Sequence, residues 1–261
     1  MPENLFYYCS SATFFSLVEK RKLWLTSLNH SNDGLEGLWA LQQYKALAKR
    51  SNLDGARKVD AALSPFFYER YAFGMCFSEK EDLLSQWRGY AEDGAGFSVA
   101  FKPDAIERLA RSHELPPHKL RYAKVKYGRL ESHGFVQKIF DVFGQDIASV
   151  RVEENFTTAR IDLSPEKWET AGQFYEYKNH AFEEEGEWRL YCMQSLPEND
   201  IFEFTLRAGA IRPHIQIKLD PEFVDYVTLG PKNKTPESVV KAFLRKNGFE
   251  PNVVKSAASY R

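Results

Sequence analysis

Two acids two residues apart, Glu185 and Glu187, run into Trp188 and Arg189 and then into the apolar stretch Leu190–Met193. On an extended chain, residues i and i+2 share a face, so the two carboxylates can converge. Like charges held that close raise the pKa of one of them, a common device in acid–base chemistry. Arg189 stands two residues beyond Glu187 and offers the plainer outcome, a structural ion pair. Glu183, Glu184 and Gly186 complete the acidic run and place it at a helix-to-strand junction.

Other groupings also carry two readings. Asn32-Asp33-Gly34-Leu35-Glu36 lies between a strand-like run and a helical one. Its side chains either cap the helix or line a ligand cleft. Gln86-Trp87-Arg88-Gly89-Tyr90-Ala91 follows Cys76-Phe77-Ser78. Trp87 and Tyr90 either pack inward or form a stacking platform for a planar ligand. The six histidines, His30, His113, His118, His133, His180 and His214, show no zinc-ligand spacing, so no metal is expected. A nuclease or phosphodiesterase using Asp33, Glu36 and Glu187 around a divalent ion is a weaker reading. Gly94-Ala95-Gly96 lacks the third glycine of a dinucleotide fingerprint and runs into a strand; no Gly-x-Ser-x-Gly elbow occurs.

These residues need a scaffold, and periodicity supplies one. Strands are expected at Leu5–Cys9, Leu23–Thr26, Phe73–Phe77, Phe97–Phe101, Ala123–Tyr127, Trp188–Met193, Ile201–Thr205, Ile211–Leu219, Val224–Leu229 and Val253–Ser256. Helices are expected over Phe14–Lys20, Leu35–Arg50, Gly55–Tyr71, Leu83–Ala91 and Asp104–Arg111, in one opening at Ser164-Pro165, and in one from Thr235-Pro236 to just before Gly248. Residues 130–183 look mainly helical. The pattern predicts a single α+β domain over 1–261: a mixed, mainly antiparallel sheet, helices around it, and a helical insertion at 130–183.

Composition narrows the class. The chain has 261 residues, 43% hydrophobic and 15% aromatic, enough for a substantial core. A net charge of −1 argues against a general nucleic-acid coat and leaves room for a local basic groove. Cys9, Cys76 and Cys192 are few, odd in number and set in apolar runs, which predicts a reducing compartment. No apolar run approaches the length of a bilayer span. With no basic-then-apolar leader at Met1-Pro2-Glu3-Asn4, the expectation is a cytoplasmic protein without membrane contact.

Taken in order, several short motifs form a set. They are Leu5-Phe6-Tyr7-Tyr8-Cys9-Ser10, Lys22-Leu23-Trp24-Leu25-Thr26, Asn32-Asp33-x-x-Glu36, Cys76-Phe77-Ser78, Trp87-x-x-Tyr90-Ala91, Gly96-Phe97, Glu185-x-Glu187-Trp188-Arg189, Gly230-Pro231 and Ser256-x-x-Ser259-Tyr260-Arg261. The series resembles a widespread bacterial family, domain of unknown function 2971. The strand–helix–strand opening, the Phe-Ser strand and the late Glu also resemble, more loosely, the ADP-ribosyltransferase layout. The first strand of the matched family usually carries His-Tyr-Thr-Ser; here Tyr7 stands where that His would.

The looser resemblance implies NAD as a substrate and cleavage of its nicotinamide–ribose bond through an oxocarbenium-like transition state. Glu187, with Glu185 beside it, would be the catalytic carboxylate. Tyr7 and Ser10 would meet the adenosine ribose, and Trp87 or Tyr90 the nicotinamide. Asn32, Asp33, Ser78 and Arg189 would shape the cleft. The target would be a protein or nucleic acid, as for a bacterial toxin or phage-defence effector. The rival is a non-catalytic module that binds a nucleotide or partner, which the loss of the family His at Tyr7 favours.

Overall fold

Short apolar runs build one sheet of ten strands among the described residues. They are Leu5–Cys9 (β1), Lys22–Ser27 (β2), Tyr71–Ser78 (β3), Phe97–Phe101 (β4), Arg121–Lys124 (β5), Glu187–Gln194 (β6), Phe202–Arg207 (β7), Ala210–Lys218 (β8), Val224–Leu229 (β9) and Asn252–Lys255 (β10). This computed structural model describes residues 2–28, 38–51, 53–68, 71–115, 118–130, 134–152, 157–158, 164–194, 201–207 and 209–258. Asn32, Asp33 and Glu36 therefore lie outside the described residues, as do Ser259, Tyr260 and Arg261.

The strand order is β7-β8-β2-β3-β1-β4-β9-β10, with β6 pairing both β3 and β5. All these pairings are antiparallel except β9 with β10. The fold is α+β with a mainly antiparallel sheet. β3 is its branch point. One edge of β3 pairs with β6 along the whole strand, from Ser78 opposite Glu187 to Tyr71 opposite Gln194. The other edge takes β2 at Phe73 and Gly74, and β1 at Ser78. The sheet thus splits into two wings that share β3 and β6.

Helices cover both faces. Ser11–Lys20 (α1), Pro103–Ser112 (α6) and Glu237–Lys246 (α9) lie under one face. Their Phe14, Leu17, Ile106, Val240 and Leu244 pack with Leu5, Phe73, Phe77 and Leu190 of the strands. Leu38–Ser51 (α2), Leu53–Leu63 (α3), Pro65–Tyr68 (α4), Phe135–Ser149 (α7) and Pro165–Gln173 (α8) belong to the other. There Leu41, Phe66, Phe143, Trp168 and Phe174 pack against Tyr191 and Met193. A smaller cluster on this second face joins Phe6, Tyr8 and Ala100 to Trp87 of Leu84–Tyr90 (α5). Each such apolar side chain contributes about 1.5–3 kcal/mol when fully buried.

Two expected elements divide. The helix over Gly55–Tyr71 is two, Leu53–Leu63 and Pro65–Tyr68. Pro65 supplies no N–H and disfavours helical geometry at Ser64. The strand over Ala123–Tyr127 also breaks. Arg121–Lys124 pairs antiparallel with β6, whereas Lys126–Tyr127 pairs parallel with Tyr177–Lys178. Val125 turns between them, its N–H donating to the Glu187 carbonyl at 2.9 Å. That switch brings Tyr127 and Lys178 to the start of β6.

Candidate functional site

Gly186 sets the geometry of the acidic run. A 3-10 helix over His180–Glu185 ends on Gly186, whose φ of 52° is left-handed and suits glycine. The chain then enters β6, where alternation decides what meets what. Glu187, Arg189 and Tyr191 face the helical layer of α2, α7 and α8, and Trp188 and Leu190 face the other.

Glu187 is 4% exposed and both its carboxylate oxygens are held. Arg189 grips it in a fork, Nε to Oε1 at 2.6 Å and a second guanidinium nitrogen to Oε2 at 3.0 Å. Lys178 Nζ reaches Oε2 at 3.0 Å and also Glu185 Oε2 at 2.7 Å. The two glutamates do converge, and a buried lysine joins them. Arg189 also donates through Nη1 to the Tyr175 carbonyl at 2.7 Å. The Glu187 N–H donates to the Tyr127 hydroxyl at 2.8 Å. Burial would raise the Glu187 pKa, but the charges of Arg189 and Lys178 outweigh it and hold the carboxyl well below the usual carboxylate range. Glu187 is half of the structural ion pair, ionised and sealed.

Around this clamp only the rim is open. Tyr90, 42% exposed, donates to Glu185 Oε1 at 3.3 Å, and Glu185 is itself partly exposed. Burial first, then the Glu185 charge, raises the Tyr90 hydroxyl. Tyr90 thus stays neutral and donating at ordinary pH. Ser78, directly opposite Glu187 in the sheet, donates to the Glu185 carbonyl at 2.5 Å and accepts the Lys80 N–H at 2.9 Å. It is 2% exposed, and its role here is to fasten the acidic run.

Three other predicted residues stand apart from this rim. Tyr7 points to the opposite face of the sheet, edge-on to Phe77 with ring centres 6.3 Å apart. The first-strand residues on the Glu187 face are Phe6 and Tyr8, because Phe6 pairs with Ser78. Tyr8 accepts the Leu83 N–H at 3.0 Å and donates to the Lys80 carbonyl at 2.8 Å. Ser10 caps α1, accepting from the Thr13 N–H at 3.0 Å. Trp87 is fully buried against Tyr8, and its indole N–H donates to Asp82 Oδ1 at 2.7 Å. As packed, its face offers nothing to a ligand. Trp188 stacks on Tyr122 and donates to Glu79 Oε1 at 2.7 Å, on the far side of the sheet from Glu187. A shallow cavity of about 320 Å³ lined by Glu107, Arg111, Lys119 and Tyr122 also opens on that far side.

Sequence reasoning missed Lys178, Tyr127 and Asp82. Asp82 accepts from the Ala257 and Ala258 N–H groups at 2.7 and 3.1 Å, and from the Ser256 hydroxyl. Residues 256–258 thus touch the turn before Trp87, a pairing visible in sequence only as two polar segments far apart. Among the described residues no three His, Cys, Asp or Glu side chains group as a metal would need, and no helix is long and apolar enough to cross a membrane.

Comparison with known proteins bears on this region. Residues 86–190 match the family model described as Protein of unknown function (DUF2971). The family resemblance is thereby shown over this stretch. The matched stretch takes in Tyr90, Tyr127, Lys178, Glu185, Glu187 and Arg189, and so the buried clamp and its rim. No match was found among the curated proteins or the solved structures.

Proposed function

We propose that this chain is a non-catalytic binding module whose rim, Tyr90 with Glu185, takes a planar ligand bearing N–H donors, such as a nucleobase. One observation carries the reading: both oxygens of Glu187 are occupied by buried cations, so the acid is a strut for the rim. The half-exposed ring of Tyr90 offers a stacking face. Glu185 keeps acceptor capacity beyond its bonds to Lys178 and Tyr90.

ADP-ribosyl transfer from NAD to a protein or nucleic acid, as by a toxin or phage-defence effector, is the second reading. The partly exposed Glu185 beside Tyr90 favours it, with Glu185 instead of Glu187 at the reacting carbon. A thermal-shift series with NAD, ADP-ribose and common nucleotides, run beside a nicotinamide-release assay, separates the two. The binding reading expects stabilisation by at least one nucleotide, lost in Tyr90→Ala, with no nicotinamide released. Nicotinamide release that Glu185→Gln abolishes would replace it with the transferase reading. No stabilisation by any nucleotide would remove it.

A further inference from the structure

The sheet manages its free edges unequally. β5, an edge beside β6, carries Arg121 and Lys124, and β10 ends on Lys255. Charges of that kind discourage edge-to-edge pairing. β7 is the third edge among the described residues, pairing with β8 alone. Between Glu203 and Arg207 it presents Phe204, Thr205 and Leu206. Phe204 is 63% exposed, and Leu206 and its cross-strand partner Ile211 are each 74% exposed. These are not scattered residues. Phe202 and Ile215 pair on the same face and pack into the core, with Phe202 against Phe73 at 5.1 Å. The apolar face continues outward through Phe204 and Pro213 to Leu206 and Ile211. An uncovered apolar strip on an unpaired edge is the signature of an association surface.

The sequence of β7 favours one occupant. We infer that β7 pairs antiparallel with β7 of a second copy of this chain, about a two-fold axis at Thr205. In that register residue i lies opposite residue 410 − i, so 203 faces 207 and 204 faces 206. Glu203 then stands opposite Arg207 of the second copy, and Arg207 opposite Glu203, giving two opposite-charge pairs on one face. Phe204 stands opposite Leu206 twice on the other face, joining the two apolar strips. Thr205 meets itself at the axis, a pair that suits a strand. A two-fold interface needs such self-complementarity, and a one-residue slip would set Glu203 against Leu206. The interface lies on the wing opposite β1, β4 and β9 and is independent of the Tyr90 rim.

Sedimentation equilibrium of the full chain, from micromolar to submillimolar concentration, tests this. The wild type should fit a monomer–dimer equilibrium. Glu203→Arg should weaken self-association at least tenfold, since both cross-axis pairs become like-charged. Arg207→Glu should do the same. Mixing the two variants should restore association to within about threefold of wild type, because the mixed dimer regains both opposite-charge pairs. Leu206→Lys should be monomeric with an unchanged circular dichroism spectrum, as the residue is mostly exposed. A wild type that stays monomeric throughout overturns the inference. So does a dimer indifferent to the charge reversals, or one that mixing fails to restore.

Discussion

Glu187→Gln tests the assignment of Glu187 as a strut. The substitution keeps the shape and removes the charge. Arg189 would keep its bond to the Tyr175 carbonyl and one acceptor on the new amide; Lys178 would keep Glu185. What disappears is the counter-charge for a guanidinium that is 1% exposed. Removing one partner of a buried pair costs about 3–5 kcal/mol. The surviving contacts place this case at the low end, about 3 kcal/mol. For a chain of this size that is a fall of roughly 6–12 °C in Tm. Urea unfolding followed by tryptophan fluorescence reads the change directly. Lys178→Met added to Glu187→Gln should recover part of the loss, because it reduces the excess of buried positive charge left beside Arg189. pH gives a second handle. The folded carboxyl sits below its unfolded value of about 4.3, so its contribution is complete above that value and is lost as pH falls toward the folded pKa. The wild type should therefore lose stability relative to Glu187→Gln between about pH 5 and pH 2. A variant destabilised by less than about 1 kcal/mol, with an unchanged acid limb, would show that Glu187 is no strut.

Further outcomes follow from other contacts. Asp82→Ala removes the acceptor shared by Trp87, Ser256, Ala257 and Ala258; it should cost about 2–3 kcal/mol and open residues 256–258 to carboxypeptidase under native conditions. Protection equal to wild type would count against the clamp. Gly96→Ala would drive a methyl group into the Cys9 and Ala91 carbonyls, where no flexible side chain can yield. A loss of about 3 kcal/mol or more is expected in the same urea titration, and a neutral result would contradict the close approach. Burial pushes the Cys192 thiol up to about 12 and the Cys9 thiol higher still. Neither should react with Ellman's reagent at pH 8 until the chain is unfolded, when all three cysteines should. Two or more fast thiols in the native protein would refute that burial.

How far the residues announced this arrangement differs from one feature to the next. Phe97–Phe101 and Val224–Leu229 read correctly to the residue because apolar runs bounded by turn residues have few alternatives. Leu5–Cys9 also read correctly as a strand, yet its faces did not. All five residues can be buried, so no alternation marks Tyr7 as facing away from Glu187 and Tyr8 as facing toward it. The convergence of Glu185 with Glu187 was legible from spacing, although a 3-10 turn and Gly186 produce it in place of a continuous strand. Lys178 was not legible. A lone lysine in an aromatic stretch suggests a surface, and only the parallel pairing of Tyr177–Lys178 with Lys126–Tyr127 carries it inside. Asp82 was hidden by distance along the chain, since nothing local ties an acidic turn to hydroxyl and amide groups at 256–258.

That last distance has a consequence for synthesis. Asp82 and Ser256 are 174 residues apart. At roughly 5–20 residues per second, a ribosome needs on the order of 10–35 s to supply the partners once Asp82 has been made. Through that interval Trp87 has its acceptor but the turn lacks its lock. Strand β4 likewise has β1 on one edge and nothing on the other until β9 is translated. The nascent chain therefore carries an open β4 edge while residues 102–223 are made and an unlatched acidic turn until residues 256–258 follow. This is the period in which the protein would most depend on a chaperone.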